Sequence, residues 1–195
     1  MTRLITVLNQ CTKFKRFVFE ESRLDEDGRI LVSLRSRKNS RGECSGCGQL
    51  SPTYDTATDA RRFEFVPVWD FSVFLVYRMR RVACNACGRV VIEKVPWSTG
   101  KHHLTDIYRC FLAQWAKKLS WAEVARSFRT SWDKVYHSVQ YVVEYGLAHR
   151  RLDQVTALGV DEIQYRNVIG KRLPAAVHIL DRFHIMKHFS KANNT

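Results

Sequence analysis

No run in the 195-residue chain approaches the ~18–20 consecutive apolar residues of a membrane span, so a helical membrane protein is not expected. The start, Met-Thr-Arg-Leu-Ile-Thr-Val-Leu-Asn-Gln, turns polar too soon for a secretory leader, and a cytoplasmic setting is expected. Proline and glycine are sparse, at 4 and 9 residues, and no repeat, low-complexity segment or long linker interrupts the sequence. Acidic side chains are also in short supply. There are 19 Asp+Glu against 32 Lys+Arg, which leaves a formal net charge of +13. The excess is spread evenly, with 17 basic and 11 acidic groups in residues 1–100 and 15 and 8 in the remainder, so no basic tail explains it. A polyanionic partner is implied, and nucleic acid is the commonest one; charge alone does not separate it from anionic lipid or an acidic protein. What the chain does have is apolar content of 45%, 12% aromatics and six cysteines, enough for one or two modest cores.

Four of the cysteines form two matching units, Cys44-Ser-Gly-Cys47-Gly48 and Cys84-Asn-Ala-Cys87-Gly88. Each offers two thiols across a tight turn, closed by a glycine that tolerates the positive φ of a metal knuckle. In a reducing compartment such pairs favour metal over disulfide, and four thiolates complete a tetrahedral shell for structural zinc. The other readings are a redox Cys-x-x-Cys or unrelated buried thiols; a redox motif normally occurs once and near a βαβ pattern. The 36 residues between the knuckles suit a zinc ribbon carrying a β-hairpin. Cys11 and Cys110 lack partners at metal spacing and are expected to be buried apolar residues.

Residues 14–19 and 29–35 flank Asp25-Glu26-Asp27-Gly28, a hairpin turn signal, and a second β pair is expected at 61–68 and 72–82. A short strand should run from Val90 to Val95. After Pro96-Trp97-Ser98-Thr99-Gly100 the apolar period becomes helical, with Leu104, Ile107, Tyr108, Phe111, Leu112, Trp115 and Leu119 at three- and four-residue spacing. Ser120 and Glu123 predict a capping box on a second helix, and a short turn at Arg129-Thr130-Ser131 leads to a third. The stretch from Trp121 to Val139 therefore fits a helix-turn-helix. Its exposed face would carry Trp132, Asp133, Lys134, Tyr136, His137 and Gln140, able to meet base edges, with Arg126 and Arg129 placed for phosphates. An ordinary three-helix packing unit with a solvated polar face is the alternative.

Two apolar runs end in acid: Ala157-Leu-Gly-Val160 before Asp161-Glu162, and Ala175 to Leu180 before Asp181. Carboxylates at strand ends can hold magnesium beside a phosphate, or they can simply be turn residues. Knuckles, Gly100-Lys-His-His-Leu-Thr105, helix-turn-helix, Leu158-Gly-Val-Asp-Glu162 and Val177 to Phe189, with its Asp181-Arg-Phe-His184, occur in that order. Together they resemble the ISL-three family of bacterial insertion-sequence transposases. The resemblance covers nearly all of the chain after about residue 30.

That resemblance implies N-terminal modules that bind the terminal inverted repeats of duplex transposon DNA, and an RNase H-like domain with an Asp, Asp, Glu magnesium triad. Asp161 matches the first acidic residue and Asp181 the second. The expected architecture is α+β: an N-terminal β-hairpin region at 1–40, a β-rich zinc ribbon at 41–100, a helix-turn-helix bundle at 101–152 and a truncated RNase H-like remnant at 153–195. Only residues 162–174 separate the first acidic strand end from the next apolar run, and none of the 14 residues after Asp181 is acidic. An internal deletion and a missing third carboxylate are thus expected, with Asp161 and Asp181 brought near one another by an antiparallel hairpin turning near Gly170. Such a chain should bind DNA without transposing alone, perform as a homodimer or beside a full-length transposase, and need magnesium only where a complete site is assembled. A non-catalytic DNA-binding regulator and a zinc-ribbon adaptor for RNA or protein are the competing functions.

Overall fold

The computed structural model describes residues 4–151, 157–160 and 177–180, and it falls into two units, Met1–Glu144 and Tyr145–Thr195. In the first unit, helix α1 (Leu4–Cys11) precedes strands β1 (Phe17–Leu24) and β2 (Ile30–Ser36), which pair antiparallel. Their turn is set by Asp25, whose Oδ1 accepts from the amides of Asp27 and Arg29 at 3.1 and 2.8 Å, and by Gly28 at φ +71°. Strands β6 (Arg61–Val68) and β7 (Phe71–Tyr77) form a second antiparallel hairpin, and β7 pairs parallel with β2. The resulting sheet has the order β1-β2-β7-β6. Residues 1–40 and the insert between the knuckles therefore share one sheet.

The core of this sheet is aromatic. Trp97, only 1% exposed, is ringed by Phe14, Phe17, Phe63 and Tyr77 at centroid distances of 4.9–5.9 Å. These are tilted and edge-to-face contacts, which contribute beyond the burial itself. Leu8 of α1 and Val32, Leu34, Val73 and Leu75 close the cluster.

The second sheet has the order β4-β3-β9-β8-β5 and is built from β3 (Gly42–Cys44), β4 (Leu50–Ser51), β5 (Thr53–Thr56), β8 (Arg80–Cys84) and β9 (Arg89–Lys94). The single strand expected at 72–82 is thus two strands in two sheets. Burial falls on residues 73, 75 and 77 in β7 but on 80, 82 and 84 in β8, so the alternation changes phase between them. Gly42 is needed where the strands crowd, because a Cβ there would lie 2.6 Å from Val82 Cγ1.

Helices α2 (Asp106–Trp115), α3 (Trp121–Ser127) and α4 (Trp132–Ala148) follow. Thr105 caps α2, accepting from the Tyr108 amide, while its hydroxyl donates to the Glu64 carbonyl at 3.0 Å. The main chain of 103–105 thereby covers the β6 edge, with Glu64 N donating to His103 O at 2.7 Å. The capping box expected at Ser120 and Glu123 is present. Tyr108, Leu112, Val124, Ala125 and Val135 make the helical core. Arg109 adds a cation–π contact, its guanidinium 3.6 Å from the Tyr141 ring centroid.

In the second unit, β10 (Ala157–Val160) and β11 (Val177–Leu180) pair parallel, with Ala157 opposite Val177 and Val160 opposite Leu180. This corrects the antiparallel hairpin. A parallel pair needs a crossover, and the intervening chain is long enough to supply one. Asp161 and Asp181 follow these strands directly in the sequence and lie outside the described residues.

Candidate zinc site and nucleic-acid interface

The two knuckles come together at the ends of β3 and β8. The sulfurs of Cys44, Cys47, Cys84 and Cys87 all lie within 4.8 Å of one another, with Cys44–Cys87 at 3.9 Å and Cys47–Cys84 at 3.5 Å. A tetrahedral shell with sulfur about 2.3 Å from zinc places sulfurs ~3.8 Å apart, so this cage fits the ion. Gly48 and Gly88 hold φ values of +76° and +63° just beyond each second cysteine. The Gly46 amide donates to Cys44 Sγ at 3.4 Å, the kind of bond that orients a thiolate ligand.

The thiols also divide by acidity. The Cys87 amide and then the Ser51 hydroxyl draw the Cys84 thiol down to about 6, whereas hydrogen bonds to Cys47 and Cys84 push Cys87 up to about 12. Four sulfurs this close cannot all carry charge without a cation among them. The four sulfurs fit structural zinc, which these cysteines would hold with no position left for substrate.

A buried polar network supports the cage. Glu93 of β9 meets Arg80 of β8 through Nη2–Oε2 at 2.6 Å and Nε–Oε1 at 3.0 Å. The Tyr77 hydroxyl donates to the same carboxylate at 2.5 Å, and Arg80 Nη1 donates to the Ser40 carbonyl at 2.9 Å. Burial, followed by the hydrogen bond to Glu93, pushes the Tyr77 phenol above its ordinary value, so it stays a donor. Sequence reading missed this network, because the partners are 13 and 16 residues apart on strands whose pairing was not legible.

Cys11 and Cys110 are both exposed, contrary to expectation. Cys110 shares its face of α2 with exposed Ile107 and Gln114, opposite Tyr108 and Leu112, and α1 buries only Leu8. The helical phase overrides the average preference of cysteine for interiors.

The helix pair places its residues as follows. Arg126 is exposed on α3, and Arg129 sits in the turn at φ +50° with its guanidinium 2.6 Å from Asp70 Oδ2. Ser131 Oγ accepts from the Lys134 amide at 3.3 Å and so caps α4. Trp132 and Tyr136 stack at 5.6 Å and 9°, both exposed and both against Trp121. Asp133 occupies the first turn of α4, where the helix dipole favours an acid. His137 and Gln140 are exposed on the next turn, and Gln140 Nε2 donates to Glu144 at 2.8 Å. Lys134 departs from the expected set: it is half-buried, and its Nζ stands 2.7 Å from Glu64 Oε2 on β6. Trp69, at 90% exposure, was not singled out from the sequence. Among the described residues no helix is long and apolar enough to cross a membrane.

Comparison with known proteins gives two matches. Residues 40–87 match the ISL3 zinc-ribbon model, described as the zinc-finger of transposase IS204/IS1001/IS1096/IS1165. Residues 98–195 match the ISL3 DDE model, described as a transposase. Neither the curated proteins nor the solved structures contain a match.

Proposed function

Because the chain belongs to the ISL3 family of insertion-sequence transposases, we propose that it binds duplex DNA at transposon ends through α3 and α4. The observation that carries this reading is the exposed face of α4. Trp132, Asp133, Tyr136, His137 and Gln140 lie beside a capped turn, with Arg126 and Arg129 on its flank. Planar rings, donors and acceptors on a helix of this kind suit a major groove, and the +13 charge suits its phosphates. Zinc contributes by holding the ribbon folded and takes no part in chemistry.

The same reading makes these 195 residues a binding protein without transposition of their own. Asp161 and Asp181 follow neighbouring parallel strands, which supports descent from a magnesium site, yet the segment between them is too short for the strands and helix the family core requires. A partner chain of full length would have to complete the site before magnesium acted. Occupancy of inverted repeats as a homodimer, or beside such a partner, in the nucleoid is the resulting role.

The test is selection of duplexes from a random library, followed by incubation of the complex with magnesium or manganese. Enrichment of one inverted-repeat-like sequence without nicking is expected. Specific nicking that disappears in Asp161→Ala would falsify the non-catalytic part, and failure to enrich any duplex would remove the binding part.

A further inference from the structure

Residues Trp69 and Asp70 form the two-residue turn between β6 and β7, since Val68 pairs directly with Phe71. Trp69 has φ +47°, the left-handed region, where a residue with a Cβ is strained and glycine is at ease. Hairpin turns with a positive φ at the first central position ordinarily place Gly there. This turn holds the bulkiest side chain instead, and that side chain is 90% exposed. Neither backbone comfort nor packing accounts for it.

The tip lies beside the turn between α3 and α4. Asp70 Oδ2 lies 2.6 Å from the guanidinium of Arg129, itself at φ +50° in the turn between α3 and α4. A cleft of about 200 Å³ lies between the hairpin and that turn, with Trp69 and Asp70 on one side and Phe111, Phe128 and Arg129 on the other. One ion pair therefore joins Asp70, the neighbour of a left-handed Trp69, to a left-handed Arg129, and an indole 90% exposed stands beside the start of the helix that presents Trp132 and His137.

We propose that the β6–β7 tip is a second DNA contact, in which Trp69 lays its ring against the sugar and base surface flanking the groove entered by α4. Asp70 is a positioning residue that pins the tip beside Arg129. The proposal rests on the duplex-binding reading above. The partner is a polyanion on grounds of charge; the Asp70 carboxylate is answered by Arg129, and the exposed indole beside that pair suits the sugar surface and base edges of a duplex groove.

The experiment measures affinity for a duplex selected with the unaltered full chain, together with the thermal midpoint, for Trp69→Gly and Trp69→Phe. Trp69→Gly is expected to keep or raise the midpoint, because it relieves the left-handed strain, while weakening affinity by about tenfold with an unchanged salt slope. Trp69→Phe should retain most of the affinity. Equal affinity in Trp69→Gly overturns the proposal, as does a change in sedimentation with DNA affinity intact, which would make the tip a protein contact. A fall in midpoint that tracks the affinity assigns Trp69 a structural role and overturns it too. If the unaltered chain selects no duplex, the reading of function fails first, and that result is distinct from all of these.

Discussion

Lys134 Nζ and Glu64 Oε2 stand 2.7 Å apart, joining the first turn of α4 to strand β6 across 70 residues of sequence. The pair withdraws one cation from the helix face that otherwise looks outward, because Glu64 keeps only 13% of its side-chain surface while Lys134 keeps 41%. Lys134→Ala should therefore lower the thermal midpoint and leave the salt dependence of DNA binding unchanged. Arg126→Ala should do the reverse, reducing the log–log salt slope by about one with an unchanged midpoint. Calorimetry beside a gel-shift salt series checks both. A smaller slope in Lys134→Ala would return that residue to the DNA-facing set.

Zinc removal should dismantle the sheet that contains β3, β4, β8 and β9, because Cys44 and Cys84 end β3 and β8, Cys47 and Cys87 lie in the turns that follow, and a thiolate cage collapses without its ion. A chelator is expected to release one zinc per chain and to lower the melting temperature, and Cys47→Ser should do the same without chelator. Circular dichroism and melting that ignore the chelator would mean that the four cysteines do not hold a structural ion.

The Arg80–Glu93 pair is 7% and 0% exposed on its two sides, so breaking it strands a buried charge. Glu93→Ala should cost about 3–5 kcal/mol in urea unfolding, and Tyr77→Phe about 1 kcal/mol. Replacing Arg80 and Glu93 together with apolar residues should cost less than Glu93→Ala alone. A double variant as damaged as the single one would show that the pair contributes through more than charge.

Glu123 is held below the ordinary carboxylate range by the Ser120 hydroxyl and then the Ser120 amide. Its folded-state value is depressed, so its contribution is present above the unfolded value and is lost as pH falls through the folded one. The midpoint difference between the unaltered chain and Glu123→Gln should be visible at neutral pH and close on acidification below the usual carboxylate range. Ser120→Ala should cost about 1 kcal/mol at neutral pH. A pH-independent difference would remove the capping charge from the account.

The legible parts of this fold were local. Two Cys-x-x-Cys-Gly units, the Asp25–Gly28 turn and the Ser120–Glu123 box each lie within five residues and carry their geometry in their spacing. The parallel pairing of β2 with β7 was not legible, because it joins strands about 40 residues apart and nothing in either strand names its neighbour. The break at Arg78–Met79 was hidden for a related reason: apolar residues occupy both phases of 71–77, and only Arg80 facing Glu93 reveals which phase is buried next. Cys110 was misplaced by arguing from residue type where helical phase decides. At the candidate interface, Trp132, Tyr136, His137 and Gln140 stand exposed as expected, whereas Lys134 was claimed by an acid 70 positions upstream.

Duplex binding by α3 and α4 is read from the dissociation constant for a selected duplex between about 50 and 300 mM salt. The expected log–log slope is about −4.5 to −7, for ~5–8 phosphate contacts, with sequence preference lost and the slope unchanged in His137→Ala/Gln140→Ala. A slope near zero, or full sequence preference in that double variant, would contradict it.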